Sequence, residues 1–452
     1  MTRASLWAVV PVLVLGCGQP PEQFPDQATG AADPREARPP TPVAPTLVRD
    51  AFMGAHLVAV VVPRSTPGTP ASFVVGHEGE HRGWVATLPE RETLASVAYG
   101  DGKLFVGGGF GSTSMYALDA GSGKRLWTNQ NLEDSGPTPA VYEDGRIVFN
   151  TFSCTMFSVD ADTGKTLWSK WIGSETPTQP ALVGDLVLAS HPGESGGYQL
   201  SAYKQRSGGQ VWSSALDAEI LTTPVIAGDS VYVSTTAGSV YRFGLDGKRR
   251  WRQQLAAASA PFVVLADDEL HLARRAGERG EREEQIVLAA ADGSLRRTVT
   301  STPGGRDLPS SSSFADFWSF EGSRPVVVGG VAYAGLPDRV EAREASSGKL
   351  LWVRRHPGGV SGRAVGSVVV VDTQVIFVTR KGELYGLDRA TGVQRWGFDF
   401  GQRVTAQPVV AKGWIYIAGQ RGKVIGFELG DEKTMDGWHM WGGSAGHNGA
   451  LL

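Results

Sequence analysis

The sequence has 452 residues, of which 41% are hydrophobic and 20% charged, and its 43 basic and 46 acidic residues leave a net charge of −3. So small a charge gives no electrostatic reason to expect nucleic acid as a partner. One of the two cysteines, Cys17, lies near the amino terminus, so Cys154 has no partner in the rest of the chain. A disulfide framework, a cysteine zinc site and a C-x-x-C-H haem site are therefore excluded, and Cys154 is predicted to be a small buried residue in a strand.

The chain begins with MTRASLWAVVPVLVLGCGQ, in which Arg3 precedes an apolar run from Leu6 to Leu15. A run of this length is too short to span a bilayer and is typical of the core of a signal peptide. The stretch Val14-Leu15-Gly16-Cys17 resembles the lipobox of bacterial lipoproteins, and that resemblance implies acylation of Cys17. We therefore expect a signal peptide over residues 1–16 and membrane attachment through the lipid on Cys17, with a chance cysteine as the alternative.

Residues 17–50 contain eight prolines and almost no large apolar side chains. Such a segment cannot bury enough surface to fold, so it is predicted to be a disordered tether behind the lipidated cysteine. In polyproline geometry, at about 3 Å per residue, it would reach roughly 90 Å. The folded part is predicted over residues 51–452.

The first motif of the folded part, HEGEH at residues 77–81, matches the H-E-x-x-H pattern of zinc proteases. On a helix, this spacing would place both imidazoles beside one zinc ion, with the glutamate as general base. Gly76, Gly79 and Gly83 disfavour that helix, because each costs about 1 kcal/mol relative to alanine in a helix interior. The alternative is a β-hairpin ending at Trp84, with the two histidines as solvated turn residues.

A dodecamer that ends in tryptophan recurs through the remaining chain. Its copies, such as YALDAGSGKRLW and FSVDADTGKTLW, end at Trp127, Trp168, Trp212, Trp251, Trp352 and Trp396. A worn copy between the fourth and fifth carries Thr298 in place of tryptophan. Each copy follows two β-branched and aromatic runs that are separated by glycine turns. Four strands in about 42 residues, repeated, are typical of a β-propeller.

We predict an all-β fold, an eight-bladed β-propeller of four-stranded antiparallel blades, with seven blades as the alternative. The blades occupy about residues 85–430, between an N-terminal hairpin within residues 51–84 and a closing segment at 431–452. The last blade needs an outer strand from elsewhere, because an open ring would leave unpaired backbone. Either Gly437–Gly443 or the hairpin could supply that strand. Aligning FVVGHEGEHRGW with YALDAGSGKRLW superposes Trp84 on Trp127 and places Glu80 and His81 in the reversal.

Two long insertions interrupt the repeat near the worn copy. Residues Arg274–Gln285 join the second and third strands of blade 5, and residues Ser301–Ser323 join blade 5 to blade 6. Connections of these two kinds open on the same face of a propeller. The first insertion is charged, and the second carries Phe314, Phe317, Trp318 and Phe320. Aromatic anchors beside mixed charge are typical of interface hot spots, so we predict a partner-binding surface here, with surface insertions that merely fold back on the ring as the alternative.

The dodecamer pattern A-x-D-x-x-[ST]-G-K-x-x-W resembles the repeat of the pyrroloquinoline-quinone-type propeller family over about residues 85–430. The resemblance implies that each tryptophan packs between neighbouring blades. If the chain were a quinoprotein dehydrogenase of this family, the resemblance would imply two further features. These are a pair of adjacent cysteines that covers the quinone and a calcium site formed by Glu, Asn and Asp. This sequence has no adjacent cysteines, so we assign it no catalytic, cofactor-binding or metal-binding residue.

A lipid anchor on an eight-bladed ring of this repeat is also similar to the lipoprotein scaffold family of the outer-membrane β-barrel assembly machinery. This resemblance implies a non-enzymatic scaffold without a cofactor, located in the bacterial cell envelope at the outer membrane and facing the periplasm. Its partners would be envelope proteins, among them that assembly machinery. The alternative is a quinone-binding or other ligand-binding enzyme with a site in the central channel.

Overall fold

Short β-branched and aromatic runs form strands throughout the part of the chain described by the computed structural model. That part comprises residues 46–48, 60–62, 71–77, 79–91, 94–130, 132–152, 155–173, 179–193, 196–220, 222–255, 262–276, 282–301, 326–335, 339–355, 368–379, 382–399, 404, 407–429, 439–440 and 442–451. All its regular elements are β-strands. A search of the described residues for a helix long and apolar enough to cross a membrane finds none.

The strands follow one another as antiparallel sheets, which we number as blades. Four strands precede them: β1 (Thr46–Val48), β2 (Val60–Val62), β3 (Ala71–His77) and β4 (Gly79–Thr87). Blade 1 consists of β5 (Ala98–Gly100), β6 (Lys103–Gly107), β7 (Met115–Asp119) and β8 (Arg125–Asn129). Blade 2 consists of β9 (Val141–Glu143), β10 (Arg146–Asn150), β11 (Thr155–Asp160) and β12 (Thr166–Trp171). Blade 3 consists of β13 (Ala181–Val183), β14 (Leu186–Pro192), β15 (Tyr198–Lys204) and β16 (Gln210–Leu216). Blade 4 consists of β17 (Val225–Ala227), β18 (Ser230–Ser234), β19 (Ser239–Gly244) and β20 (Arg249–Gln254).

The second half continues the same order. Blade 5 consists of β21 (Phe262–Ala266), β22 (Glu269–Ala276), β23 (Arg282–Ala289) and β24 (Leu295–Ser301). Blade 6 consists of β25 (Val326–Val328), β26 (Val331–Gly335), β27 (Arg339–Glu344) and β28 (Leu350–Arg355). Blade 7 consists of β29 (Val369–Val371), β30 (Gln374–Val378), β31 (Glu383–Asp388) and β32 (Gln394–Asp399). Blade 8 contains β33 (Val409–Ala411), β34 (Trp414–Ala418) and β35 (Lys423–Glu428), and β36 (Ala450–Leu451) follows it.

The N-terminal hairpin closes the ring. Strand β4 pairs antiparallel with β35 as the outer strand of blade 8, with Trp84 opposite Gly426, and β3 adds a fifth strand outside it. The prediction of eight blades is confirmed and the alternative of seven is wrong. Of the two candidates for closure, the hairpin supplies the outer strand. The segment Gly437–Gly443 does not take this role, because β35 already has β4 as its outer neighbour.

The H-E-x-x-H motif lies in this hairpin and not on a helix. His77 pairs with Gly79, so the chain reverses between these two residues, and both histidine positions belong to strands. The predicted hairpin is confirmed, but its reversal lies earlier than the alignment placed it. Successive strand residues point to opposite faces and cannot reproduce the helical i, i+4 geometry of a zinc protease.

The first strand of each blade is the innermost. These short strands contact one another in the order β5, β9, β13, β17, β21, β25, β29 and β33, and β33 contacts β5. They therefore surround a central channel with the first and last blades side by side.

Tryptophans join most neighbouring blades. Trp84 is representative: its indole covers Gly123 of blade 1, where a Cβ atom would lie 2.3 Å from the ring, and Nε1 donates to the Ala120 carbonyl at 3.0 Å. Equivalent hydrogen bonds to the next blade are made by Trp127, Trp168, Trp212, Trp251 and Trp352. The packing of these tryptophans between blades, implied by the family resemblance, is thus observed. At the worn copy, the prediction that Thr298 replaces the tryptophan is wrong: Arg297 has the tryptophan's register, pairing with Val287 before the bulge, and donates to the Ala345 carbonyl of the next blade. Val299 packs against Gly348 of that blade.

Candidate functional site: the central channel and the loop face

The ring has two faces that differ in the connections they carry. The turn face carries the turns between strands one and two and between strands three and four of each blade. The loop face carries the connections between strands two and three and the links from one blade to the next. The predicted insertion at residues 301–323 belongs to a connection of the loop face, because it joins β24 to β25. The predicted insertion Arg274–Gln285 also lies at this face, but most of it is not a loop: β22 extends to Ala276 and β23 begins at Arg282, and the two strands pair up to these residues.

The C-terminal segment, described at residues 439–440 and 442–451, lies against the inner strands inside the channel. Its carbonyl groups accept hydrogen bonds from the central residue of four inner strands: Val370 donates to His439, Tyr99 to Ala445, Tyr142 to Gly446 and Ile226 to Gly449, all at 2.8–3.0 Å. These bonds connect blades 7, 1, 2 and 4, and β36 pairs in parallel with β17. The segment therefore satisfies inner backbone groups that the channel would otherwise leave open.

Asn448 adds blade 3 to this series. Its amide side chain accepts a hydrogen bond from the Leu182 backbone N–H at 2.6 Å and donates one to the Leu182 carbonyl at 2.9 Å. A side-chain amide can thus imitate a neighbouring strand, because it presents an acceptor and a donor side by side. The described residues of this segment bind five of the eight inner strands.

A ligand that binds the backbone of those inner strands would compete with the chain's own segment. Blades 1–4 and 7 already bind the chain's own segment, and Gly449 lies so close to β17 that an added Cβ atom would be 2.6 Å from the Pro224 carbonyl oxygen. The described residues also contain no group of three or more histidine, cysteine, aspartate or glutamate side chains that could hold a metal ion.

A serine–histidine pair in blade 3 has the geometry of a nucleophile and base. His191 Nε2 lies 2.7 Å from Ser201 Oγ, and its Nδ1 lies 2.7 Å from the Pro192 carbonyl oxygen. Ser201 Oγ also donates to Ser213 Oγ at 2.8 Å. Ser201 is fully buried, so no substrate reaches its hydroxyl, and a backbone carbonyl stands where a catalytic triad has a carboxylate. We interpret the pair as a satisfied polar contact inside the blade.

Carboxylates surround the channel mouth on the turn face. Six blades carry an aspartate in the turn between their first and second strands: Asp101, Asp144, Asp185, Asp229, Asp267 and Asp372. Asp101, Asp144 and Asp267 have positive φ angles of 47°, 45° and 53°. Aspartate tolerates this backbone conformation better than most residues, so turn geometry accounts for these positions without a ligand.

Two buried histidines make the stability of the ring sensitive to mild acid. Burial lowers the pKa of His271 in blade 5 to about 4, although the Glu269 carboxylate 3.7 Å from Nε2 partly opposes the effect. Burial lowers the pKa of His447 in the C-terminal segment to about 3. Both imidazoles are therefore neutral in the folded protein at every pH at which an unfolded chain, with a pKa near 6.5, begins to bind protons.

We expect the free energy of unfolding to fall as the pH drops from 6.5 to 5, by up to about 1.4 kcal/mol per pH unit for each of these imidazoles. In this range His271 and His447 gain protons in the unfolded chain and not in the folded protein, so the stability that depends on these two imidazoles is fully present only above pH 6.5. Hydrogen bonds from Arg297 hold the pKa of Glu269 below its usual range. Protonation of this carboxylate therefore affects the stability only at lower pH. Urea midpoints at several pH values measure the slope, and His271→Gln should reduce it. A midpoint that does not change between pH 6.5 and 5 would contradict the prediction.

The loop face of blades 1 and 2 exposes aromatic side chains. Phe110, between β6 and β7, is 59% exposed and meets Phe152, between β10 and β11, edge to face at 5.5 Å. Trp171, the last residue of β12, is 63% exposed and pairs with Thr155 beside the same connection. We call Phe110, Phe152 and Trp171 the aromatic platform. Exposed aromatic groups of this size are typical of interaction sites.

Backbone hydrogen bonds hold the connections under the platform together. The Gly136 N–H donates to the Ser112 carbonyl at 2.7 Å, and the Phe152 N–H donates to the Gly136 carbonyl at 3.0 Å. Gly136 has a φ of +74°, and an added Cβ atom there would lie 2.3 Å from the Phe152 ring. These hydrogen bonds join three segments into one surface: the β6–β7 connection, the link from blade 1 to blade 2, and the β10–β11 connection. Such a surface binds a partner with little loss of conformational entropy.

The site residues predicted from the sequence have different outcomes. The six repeat tryptophans lie on outer strands as predicted. Cys17, Cys154, Phe314, Phe317, Trp318 and Phe320 lie outside the described residues, so lipidation and the predicted partner surface stay predictions. The sequence reasoning missed the aromatic platform and the C-terminal segment in the channel. Two isolated phenylalanines in adjacent connections were the only signal for the platform.

Comparisons with known proteins agree with this architecture. A family model described as outer membrane protein assembly factor BamB matches residues 74–195, 158–310 and 282–436. The solved structure of BamB from Moraxella catarrhalis is 15% identical with a TM-score of 0.58, and the match covers 75% of this chain and 99% of that one. The computationally designed Ika8 protein is 15% identical with a TM-score of 0.60, covering 75% of this chain and 97% of that one.

An enzyme shares the fold as well. Quinohemoprotein alcohol dehydrogenase from Comamonas testosteroni is 13% identical with a TM-score of 0.55, and the match covers 78% of this chain and 77% of that one. No curated protein sequence matches the chain. At such low identities the structural matches establish the propeller fold alone.

Proposed function

Because the chain belongs to the family whose model is described as outer membrane protein assembly factor BamB, we propose that it is a non-enzymatic scaffold that binds protein partners in the bacterial cell envelope. The aromatic platform is the observation that carries this proposal. It offers exposed Phe110 on a connection that backbone hydrogen bonds hold in place, and exposed Trp171 at the end of β12. Interfaces use such aromatic anchors because they bury a large apolar area with few rotatable bonds.

The C-terminal segment supports a function on the surface over one inside the channel. A ligand of the central channel would have to displace hydrogen bonds to Tyr99, Tyr142, Leu182, Ile226 and Val370. A partner on the loop face meets no such competition. The enzyme alternative therefore has the shared fold in its favour, but no described site.

Lipid attachment at Cys17 and a tether over residues 17–50 complete the proposal. They would hold the ring at a membrane surface, with the outer membrane facing the periplasm as the proposed location. The second aromatic group, Phe314 to Phe320, belongs to a link of the loop face and is proposed as a further part of the partner surface. The proposed partners are envelope proteins, among them subunits of the β-barrel assembly machinery.

We expect Phe110→Ser with Trp171→Ser to reduce partner recovery by a factor of ten or more, because interface hot spots contribute about 2 kcal/mol or more. Cells that express the tagged protein are crosslinked, their membranes are solubilised, and the proteins recovered with it are quantified by mass spectrometry. Both side chains are largely exposed, so the thermal midpoint should change little.

Val393→Ser is the matched control, because Val393 is also 59% exposed but lies on the turn face. Phe317→Ser with Trp318→Ser tests the predicted second aromatic group in the same way. Recovery of assembly-machinery subunits with the wild type and their loss with the platform variant would support the proposal. Equal recovery with all variants would refute the platform as the binding surface.

A further inference from the structure

The outer strand of blade 6 is unusual among the outer strands. Strand β28 reads LLWVRR, and Leu350, Leu351 and Val353 are 43%, 49% and 47% exposed. No other outer strand exposes three aliphatic residues among the side chains that the structure describes. By contrast, β20 reads RRWRQQ, and charges of this kind protect a sheet edge from pairing with another chain.

The outer edge of β28 is open in the described part of the chain. Its pairing is with β27 alone, and blade 6 has four strands. Blade 8 shows that the outer edge of this fold accepts another strand, since β3 pairs with the outside of β4 through seven residue pairs. A fifth strand on β28 would repeat an arrangement that the molecule already contains.

The basic side chains at the two ends of β28 indicate which kind of segment binds to its open edge. Lys349 precedes β28 and Arg354 lies near its end, both exposed and with no acidic residue between them. A second copy pairing antiparallel through the same strand would bring basic groups together at both ends, which disfavours self-association. An extended segment that alternates apolar and acidic residues would cover the aliphatic side chains and neutralise the basic ends.

We propose that the outer edge of β28 binds an extended, acidic and apolar segment of a partner protein as a fifth strand of blade 6. Backbone hydrogen bonds of the strand provide affinity in this mode, and the flanking side chains provide specificity. The inference rests on the proposed scaffold function, since it assigns one class of partner to it. It requires a different surface from the aromatic platform.

The test uses the purified folded chain and a capped heptapeptide that alternates glutamate and valine, labelled for fluorescence anisotropy. We expect saturable binding that is at least tenfold weaker for Leu351→Asp with Val353→Asp, and weaker for a peptide with lysine in place of glutamate. Val211→Asp is the matched control, because Val211 also precedes the repeat tryptophan of its blade and is 48% exposed. The backbone amides among residues 350–355 that point away from β27 should gain protection from hydrogen exchange when the peptide is bound.

Peptide binding that is equal in wild type and Leu351→Asp with Val353→Asp, or that leaves these amides unprotected, would overturn the inference. Absence of binding would overturn it as well. These peptide experiments do not depend on partner recovery through the aromatic platform. Failure of the proposed strand binding at β28 can therefore be distinguished from failure of the proposed scaffold function.

Discussion

Replacing Trp84 with alanine should lower the free energy of unfolding by about 3–5 kcal/mol, the range for truncating a large buried aromatic residue. Trp84 is 2% exposed and lies between two glycines, Gly426 on the neighbouring strand of its own blade and Gly123 in blade 1. Its indole N–H also donates to the Ala120 carbonyl, and its ring centroid lies 6.1 Å from that of Tyr416. The substitution would leave a cavity where the first and last blades meet.

The loss should have a local signature as well as a global one. Strand β4 is held to blade 8 by its pairing with β35. Trp84 connects this strand to blade 1, because its ring packs against Gly123. We therefore expect faster hydrogen exchange along β4 and β35 in Trp84→Ala. Urea unfolding gives the global change, and exchange measured by mass spectrometry gives the local one.

Two other tryptophans provide the controls. Trp212→Ala should cost a similar free energy, because Trp212 covers Gly247 and donates to the Leu245 carbonyl at 2.8 Å, but it should leave exchange in β4 and β35 unchanged. Trp171→Ala, at a position 63% exposed, should change stability by less than about 0.5 kcal/mol. If Trp84→Ala behaves like Trp171→Ala, the hairpin is not what closes the ring.

The closure could be anticipated because its signal is local. The turn glycine and the tryptophan of each copy stand at fixed positions in one short pattern, and Trp84 falls in register with Trp127 without a gap. A propeller repeats one supersecondary unit, so six matching copies predict the whole ring. The position of the reversal, between His77 and Gly79, was predicted wrongly because the alignment transferred the longer turn of the repeat to a tighter hairpin.

The tryptophan repeat predicts only in part which side chains of the outer strands are exposed. Strand β12 alternates half-buried and exposed residues, so Trp168 packs towards blade 3 whereas Trp171 points to solvent. Both are tryptophans in one strand, and their different roles depend on which of them meets the glycine of the next blade. The residue type alone does not distinguish the roles of the two tryptophans. The aromatic platform therefore could not be predicted before the fold was known.

The C-terminal segment could not be anticipated from sequence pattern, because its contacts join residues far apart in the chain. Asn448 and Leu182 are 266 positions apart, and nothing in either local sequence indicates that one binds the other. The segment carries glycines at positive φ, Gly442 at 75° and Gly449 at 63°, which let the backbone follow the wall of the channel. Its tryptophans instead suggested an outer strand, a role that the structure gives to the hairpin.

A chain that ends at Gly437 should unfold at a lower urea concentration, with a loss of about 3 kcal/mol. Four backbone bonds and the two bonds of Asn448 would disappear, each with a net value of about 0.5–1.5 kcal/mol. Water can enter the emptied channel and bind the exposed groups, so the loss should lie at the low end of the summed range. The amides of Tyr99, Tyr142 and Ile226 should exchange faster, whereas that of Val327, which no described residue of the segment reaches, serves as the internal reference.

The point variant Asn448→Ala isolates the most specific of these contacts. It removes the side chain that binds both the Leu182 N–H and the Leu182 carbonyl while leaving the segment in place, so it should cost about 2–4 kcal/mol from two buried groups that lose these partners. Ser444→Ala, in the same segment, is the matched control and should be close to neutral. If the truncated chain and Asn448→Ala both retain wild-type stability and exchange, the segment does not bind the inner strands in solution. The channel would then be open, and a ligand site within it would regain the support that the bound segment removes.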